Sequence, residues 1–202
     1  MIFLGLFIFF IFLFAYFRKK ETRNQESVDA AFWNRENEAN HTRRQDISGL
    51  PYITIPLEKF PMDICDNPEI KEFEQTLTEL SSRKILNLGH QTNTDLKLKY
   101  GPANLDELDK CDENFSTLCR TLVSYAECLL KLGYQKEAQF VLEFGISCGS
   151  DHSRNYCLLA DLYQEQGKTA KLNELLAKAN SLDSLMKQSI VSYIEKKSPS
   201  SL

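Results

Sequence analysis

YAECLLKLGYQKEAQFVLEFGIS at 125–147 and LADLYQEQGKTAKLNELLAKANS at 159–181 decide the fold. Shifting one stretch so that Gly133 meets Gly167 also brings Ala126 onto Ala160, while Tyr125, Leu122, Leu129 and Leu142 meet Leu159, Tyr156, Tyr163 and Leu176. Large apolar residues at helical spacing around a small one let two antiparallel helices approach closely, and a glycine between them supplies a left-handed turn. The pattern therefore predicts two helical hairpins built on one template. A single hairpin leaves an apolar face uncovered, so such units stack and need further helices at their ends.

A 34-residue helix–turn–helix period resembles the tetratricopeptide repeat family over 117–184. Ala138 stands at the small position of the first unit's second helix, where the second unit departs with Leu172. Leu122 and Tyr156 stand where that family often has Trp, and Ser150 and Ser184 where it often has Pro. In the family the first helix of each unit lines a concave groove. The resemblance implies a protein-binding groove of Arg120, Val123, Glu127 and Leu130 from one unit and Arg154, Cys157, Asp161 and Gln164 from the other. The same positions read equally as packing between helices or as solvated surface. Family members that clamp a chaperone's C-terminal carboxylate carry Lys and Asn where this chain has Val123 and Glu127, so the resemblance does not extend to that activity.

Outward from the repeats, Leu185, Ile190, Val191, Tyr193 and Ile194 predict a capping helix over 185–197, and 198–202 reads as a disordered tail. Upstream, Asn67 or Asp66 can cap a helix with Pro68 in its first turn. Ile70, Phe73, Leu77, Leu80, Ile85 and Leu88 then predict it to run to Gly89 as an irregular N-terminal cover. The stretch 90–102, HQTNTDLKLKYGP, reads as a polar loop within the 69–116 cover region. Pro51, Pro56 and Pro61 exclude a helix from 46–68 and predict an extended segment packed on its own domain, with 50–61 a candidate occupant of the repeat groove.

The 202-residue chain has a further block at its start: Ile2 to Phe17 carry no charge and hold seven of the 13 Phe. Arg18, Lys19, Lys20 and Arg23 follow it, and neither a preceding basic region nor a small-residue cleavage site is present. We expect an uncleaved transmembrane anchor over 1–17 with the C-terminal side cytoplasmic. At 18–45 we expect a juxtamembrane helix or stalk. Residues 18–44 carry a net +2 and the remainder −6, an acidic balance that excludes a nucleic-acid binder relying on phosphate neutralisation. The expected class is all-α: a transmembrane helix followed by a small helical-repeat domain.

Six cysteines without a C-x-x-C pair read as reduced thiols, and a disulfide framework is expected only if the topology is reversed. His41, His90 and His152 lie apart in polar segments, and the spacings of zinc, phosphate-loop, dinucleotide and nucleophile-elbow motifs are all missing. No enzymatic activity, cofactor, metal, nucleic acid or small-molecule substrate is expected. The expectation is a membrane-tethered adaptor holding a protein or peptide partner, with a structural subunit of a larger membrane assembly as the alternative.

Overall fold

The computed structural model describes residues 2–197, excluding the side chains at 2–6, 8, 10, 20–24 and 26. Met1 and the tail expected at 198–202 lie outside the described residues. The elements are α1 (Ile2–His41), a 3-10 turn at Leu57–Lys59, α2 (Pro68–Ser81), α3 (Asn93–Tyr100), a 3-10 turn at Pro102–Asn104, and α4 (Leu105–Lys131). They continue with α5 (Gln135–Ser147), α6 (Ser153–Glu165), α7 (Thr169–Asn180) and α8 (Lys187–Lys197). No strand occurs among the described residues, and the class is all-α. The chain forms two compact units, one of residues 1–47 and 91–105 and the other of 48–90 and 106–202.

In the first unit, the segments expected as anchor and stalk lie on one helix, α1. No Gly or Pro lies between Gly5 and Gly49, so nothing in the chain breaks α1 where its composition changes from apolar to charged. The transmembrane span expected at 1–17 is not found as such. Among the described residues no helix is long and apolar enough to cross a membrane, and the uncharged block ends at Phe17, directly before Arg18. The loop expected at 90–102 contains α3. Thr92 Oγ1 accepts from the Asp95 amide at 3.3 Å and Asp95 Oδ2 accepts from the Thr92 amide at 3.0 Å, a capping box that starts a helix in a polar sequence.

Polar ties join α1 to α3. Glu36 accepts from the Thr94 hydroxyl and, at 3.1 Å, from Lys97, and Arg35 meets Asp95 at 2.5 Å. Asn104, fully buried, donates to the Gln45 and Tyr100 carbonyls at 2.8 and 2.7 Å and accepts from Arg44 Nε at 2.9 Å. Every polar atom of that amide is thereby satisfied, which removes the penalty its burial would otherwise carry. Gly101 (φ +84°) is required beside it, since a Cβ there would stand 2.8 Å from Arg44 Cα and 2.9 Å from the Arg43 carbonyl.

In the second unit, Asn67 caps α2 by accepting from the Glu69 and Ile70 amides at 2.9 and 3.3 Å, with Pro68 at the first helical position. The helix stops at Ser81, short of the expected Gly89. The Ser81 and Ser82 hydroxyls donate back to the Thr78 and Glu79 carbonyls at 2.7 and 2.8 Å, the local competition by which serine ends helices. Ile85 and Leu88, expected on that helix, are buried in the segment after it. There the Ile85 carbonyl accepts from the Ile53 amide at 2.9 Å and the Leu86 amide donates to the Cys111 carbonyl at 3.2 Å.

The hairpins α4–α5 and α6–α7 close with the same turn. Gly133 and Gly167 have φ of +88° and +65°. The amide after each reaches back to the carbonyl at the end of the preceding helix, Tyr134 to Leu129 at 2.9 Å and Lys168 to Tyr163 at 2.8 Å. Each following helix then begins with the bond Ala138 to Tyr134 at 3.0 Å or Leu172 to Lys168 at 3.1 Å. Ser147 and Ser181 end the second helices alike, donating to the Phe144 and Lys178 carbonyls at 2.7 Å. Ala126, Ala160, Ala138 and Leu172 are all buried in one core with Leu122, Tyr156, Leu129 and Tyr163. The helix α8 packs on both α6 and α7, and its buried Ile190 and Ile194 stand at the next repeat of the register that relates Leu122 to Tyr156 and Ala126 to Ala160.

An alanine at Gly133 or Gly167 must hold a left-handed conformation, so each substitution should lower stability by about 1–2 kcal/mol. Gly101→Ala adds a backbone clash and should cost more. Urea unfolding followed by helical circular dichroism checks the order Gly101→Ala above the other two.

Candidate functional site

The first helix of each hairpin carries the residues expected to line a groove, at equivalent positions. On α4, Arg120 is exposed, and its guanidinium reaches the Ser116 carbonyl at 3.3 Å and Thr117 Oγ1 at 3.4 Å on its own helix. Val123 is buried, and Glu127 and Leu130 are half-buried. On α6, Arg154 and Gln164 are exposed, and Cys157 and Asp161 half-buried. The structure brings Glu127 and Arg154 together at 2.5 Å, joining the two helices. Asp161 is engaged by α8 instead, accepting from the Tyr193 hydroxyl at 2.9 Å and from Lys197 at 2.8 Å. Arg120, Val123, Leu130, Cys157 and Gln164 are not drawn into those ties between helices.

A third member of the face lies beyond the two hairpins. Carrying the register of Arg154, Cys157 and Asp161 one repeat further leads to Gln188, Val191 and Glu195 on α8. By register, Val123, Cys157 and Val191 are an apolar series of which Val123 and Val191 are buried in the core, Glu127, Asp161 and Glu195 an acidic series, and Arg120 and Arg154 the basic beginning of a third. The arithmetic is available in the sequence, but Ile194 in place of the alanine hides the register.

The segment 50–61 does not occupy this face. Phe60 sits edge-on between Phe140 and Phe144 of α5, with ring centroids 5.5 and 5.2 Å away, and the Pro61 carbonyl accepts from the Tyr125 hydroxyl at 2.5 Å. At about 100° per residue, Tyr125 points away from Val123 and Glu127 on α4. The ribbon is drawn there because its three prolines leave Ile55 and Phe60 to be buried by helices, and the aromatic pair on α5 offers the matching surface. Glu74, also buried, fixes the turn that follows by accepting from the Asp63 amide at 2.9 Å.

A polar cluster ties the hairpins together. Glu143 Oε1 accepts from Gln139 at 2.7 Å, the Tyr163 hydroxyl at 2.8 Å and Lys171 at 2.8 Å, beside a cleft of about 230 Å³. Burial alone would raise the Glu143 carboxyl, but the hydrogen bonds from Lys171, Tyr163 and Gln139 outweigh it and hold the group below the ordinary glutamate range. Burial and that same carboxylate push the Tyr163 phenol up. A second cleft, of about 360 Å³, is lined by His90, Asp112, Phe115, Asp151 and Asp183 among others. Among the described residues no group of three or more His, Cys, Asp or Glu could hold a metal ion.

All six cysteines are free. Burial pushes the Cys119 and Cys148 thiols up to about 11, and raises Cys111, Cys128 and Cys157. At each of these positions the shift favours the protonated thiol.

Comparison of the chain with family models, with curated proteins and with solved structures finds no match. The site therefore rests on its own geometry.

Two outcomes follow from these contacts. A double-mutant cycle on Glu127→Gln and Arg154→Gln should return a coupling below about 1 kcal/mol, because both partners are partly solvated. Glu143, lowered in the folded state, contributes stability that is present above its unfolded value of about pH 4.3 and is lost as pH falls through the lower folded value. Acid unfolding of Glu143→Gln should accordingly show a shallower loss below about pH 4 than the parent chain.

Proposed function

We propose that this chain is a membrane-tethered adaptor in which α1 holds a bilayer and the face of α4, α6 and α8 receives a protein or peptide partner. The observation that carries this reading is the register of that face, with equivalent positions recurring at one fixed offset from α4 to α6 to α8. A repeating face offers the same contact several times to one extended or helical segment. Its ion pairs are partly exposed and worth little, so a partner can exchange them for its own charges at small cost. The same reading treats the two hairpins as degenerate tetratricopeptide units, supported by their matching glycine turns.

Support for the tether comes from α1. The exposed Phe7, Phe9, Ile11, Phe12, Leu13, Phe14, Tyr16 and Phe17 lie around its whole circumference. A helix that docks on one protein surface needs a single apolar stripe, whereas lipid meets every side. The cations after Phe17 favour a cytoplasmic C-terminal side. Tethering then raises the effective concentration of a partner at the membrane without any new contact. This reading includes no catalysis, cofactor, nucleic acid or small-molecule substrate.

A photo-crosslinking residue at Arg120 or Gln164 in the full chain, in its native membrane, should capture one and the same protein. The same probe at exposed Asn173 on α7 should not. Equal capture from all three positions would overturn the adaptor reading. The structural-subunit alternative is favoured by Val28, Phe32 and Trp33, which stay exposed on α1. Exchange of 2–17 for an unrelated span separates the two, since an adaptor keeps its partner and a laterally assembled subunit loses its neighbours.

A further inference from the structure

We infer that the partner presents a basic segment whose cationic side chains enter the cleft beside Asp112, Asp151 and Asp183, an inference that rests on the adaptor reading above. The cleft, of about 360 Å³, opens where the segment after α2, the N-terminal half of α4 and the turns before α6 and α8 meet. Phe115 and Leu182 give it an apolar wall. On the same turn as Leu182, Leu185 is 101% exposed and Met186 44%, aliphatic surface left to solvent at the edge of a groove. On α4, Asp112 and Ser116 stand two turns and one turn before Arg120, so the cleft prolongs the proposed face toward the helix N-termini.

Charge decides what fits there. Three separate elements each bring one carboxylate, and no Lys or Arg lines the cleft with them. Among the described residues no ion pair uses any of the three. The nearest arginines along the helices are held elsewhere, Arg120 on the Ser116 carbonyl and Thr117 Oγ1 of its own helix and Arg154 on Glu127. The three carboxylates and His90 do not form a group that could hold a metal ion. Carboxylates spread around an apolar wall suit cations carried on aliphatic stems, as in Lys and Arg. The walls are fixed in advance: Asn87 Nδ2 donates to the Gly149 carbonyl at 3.1 Å, and the Leu88 amide to Asp112 Oδ1 at 3.3 Å. A groove already held in shape loses little freedom when a segment enters it.

The test places the full chain in phosphatidylcholine nanodiscs and follows the fluorescence anisotropy of a labelled Arg-Leu-Arg-Leu-Arg amide, beside a counterpart with citrulline at each arginine. The charged peptide should bind the unmodified chain about tenfold more tightly than its neutral isostere, a comparison that needs no variant to fold. The triple variant Asp112→Asn, Asp151→Asn, Asp183→Asn should lose about tenfold in affinity for the charged peptide. A control with Glu58→Gln, Glu72→Gln and Glu165→Gln, exposed acids elsewhere in the same unit, removes the same net charge and should keep that affinity. No binding of the charged peptide, equal affinity for both peptides, or equal loss in both triple variants overturns the basic-segment inference. The adaptor reading survives those results, because it falls by a different one, equal capture from the three crosslinking positions.

Discussion

Gly133 and Gly167, both at positive φ and at the same point of their hairpins, fix how the repeat-bearing unit is built. Each turn must reverse the chain in a short span while satisfying the carbonyls that a helix leaves unpaired at its end, and a left-handed residue does both. The reversal brings Ala126 opposite the following helix in one hairpin and Ala160 in the other. Once two such hairpins exist, each presents an apolar face that water cannot cover cheaply. Packing α6 on α5, and α8 on α6 and α7, answers that requirement.

Polar contacts do a different job from the core. The apolar residues along the seams are interchangeable within limits of volume, so they do not by themselves specify how far one hairpin slides on the next. The Glu143 cluster, with donors from α5, α6 and α7, is satisfied in only one such arrangement. Asn104 does the same in the smaller unit, where three partners converge on one amide. Several donors converging on one acceptor group favour one packing even where their net stabilisation is modest.

How much can be read without coordinates follows from how local each signal is. The Asn67–Pro68 start of α2, the two turn glycines and the apolar seams depend on neighbours in sequence, and they are legible there. Ile85 and Leu88 mislead because their spacing of three continues a helical period, whereas the segment buries Leu86 as well and turns Asn87 out, and only the serines at 81 and 82 argue for the break. The helix α3 is hidden because its capping box sits among polar residues that give no apolar period. Of the candidate face, the positions on α4 and α6 are legible by register. The partners of Glu127 and Asp161 are not, since they depend on how closely separate helices approach.

The outer surface of α8 has a consequence for behaviour at high density. Helical solenoids can add copies end to end into open fibres when the last unit leaves an oily seam. Here the terminal helix turns Gln188, Ser189, Glu195 and Lys196 to solvent. An end-on contact between copies along α8 would have to strip water from those polar groups, and the apolar surface nearby is that of Leu185 and Met186, exposed just before the helix.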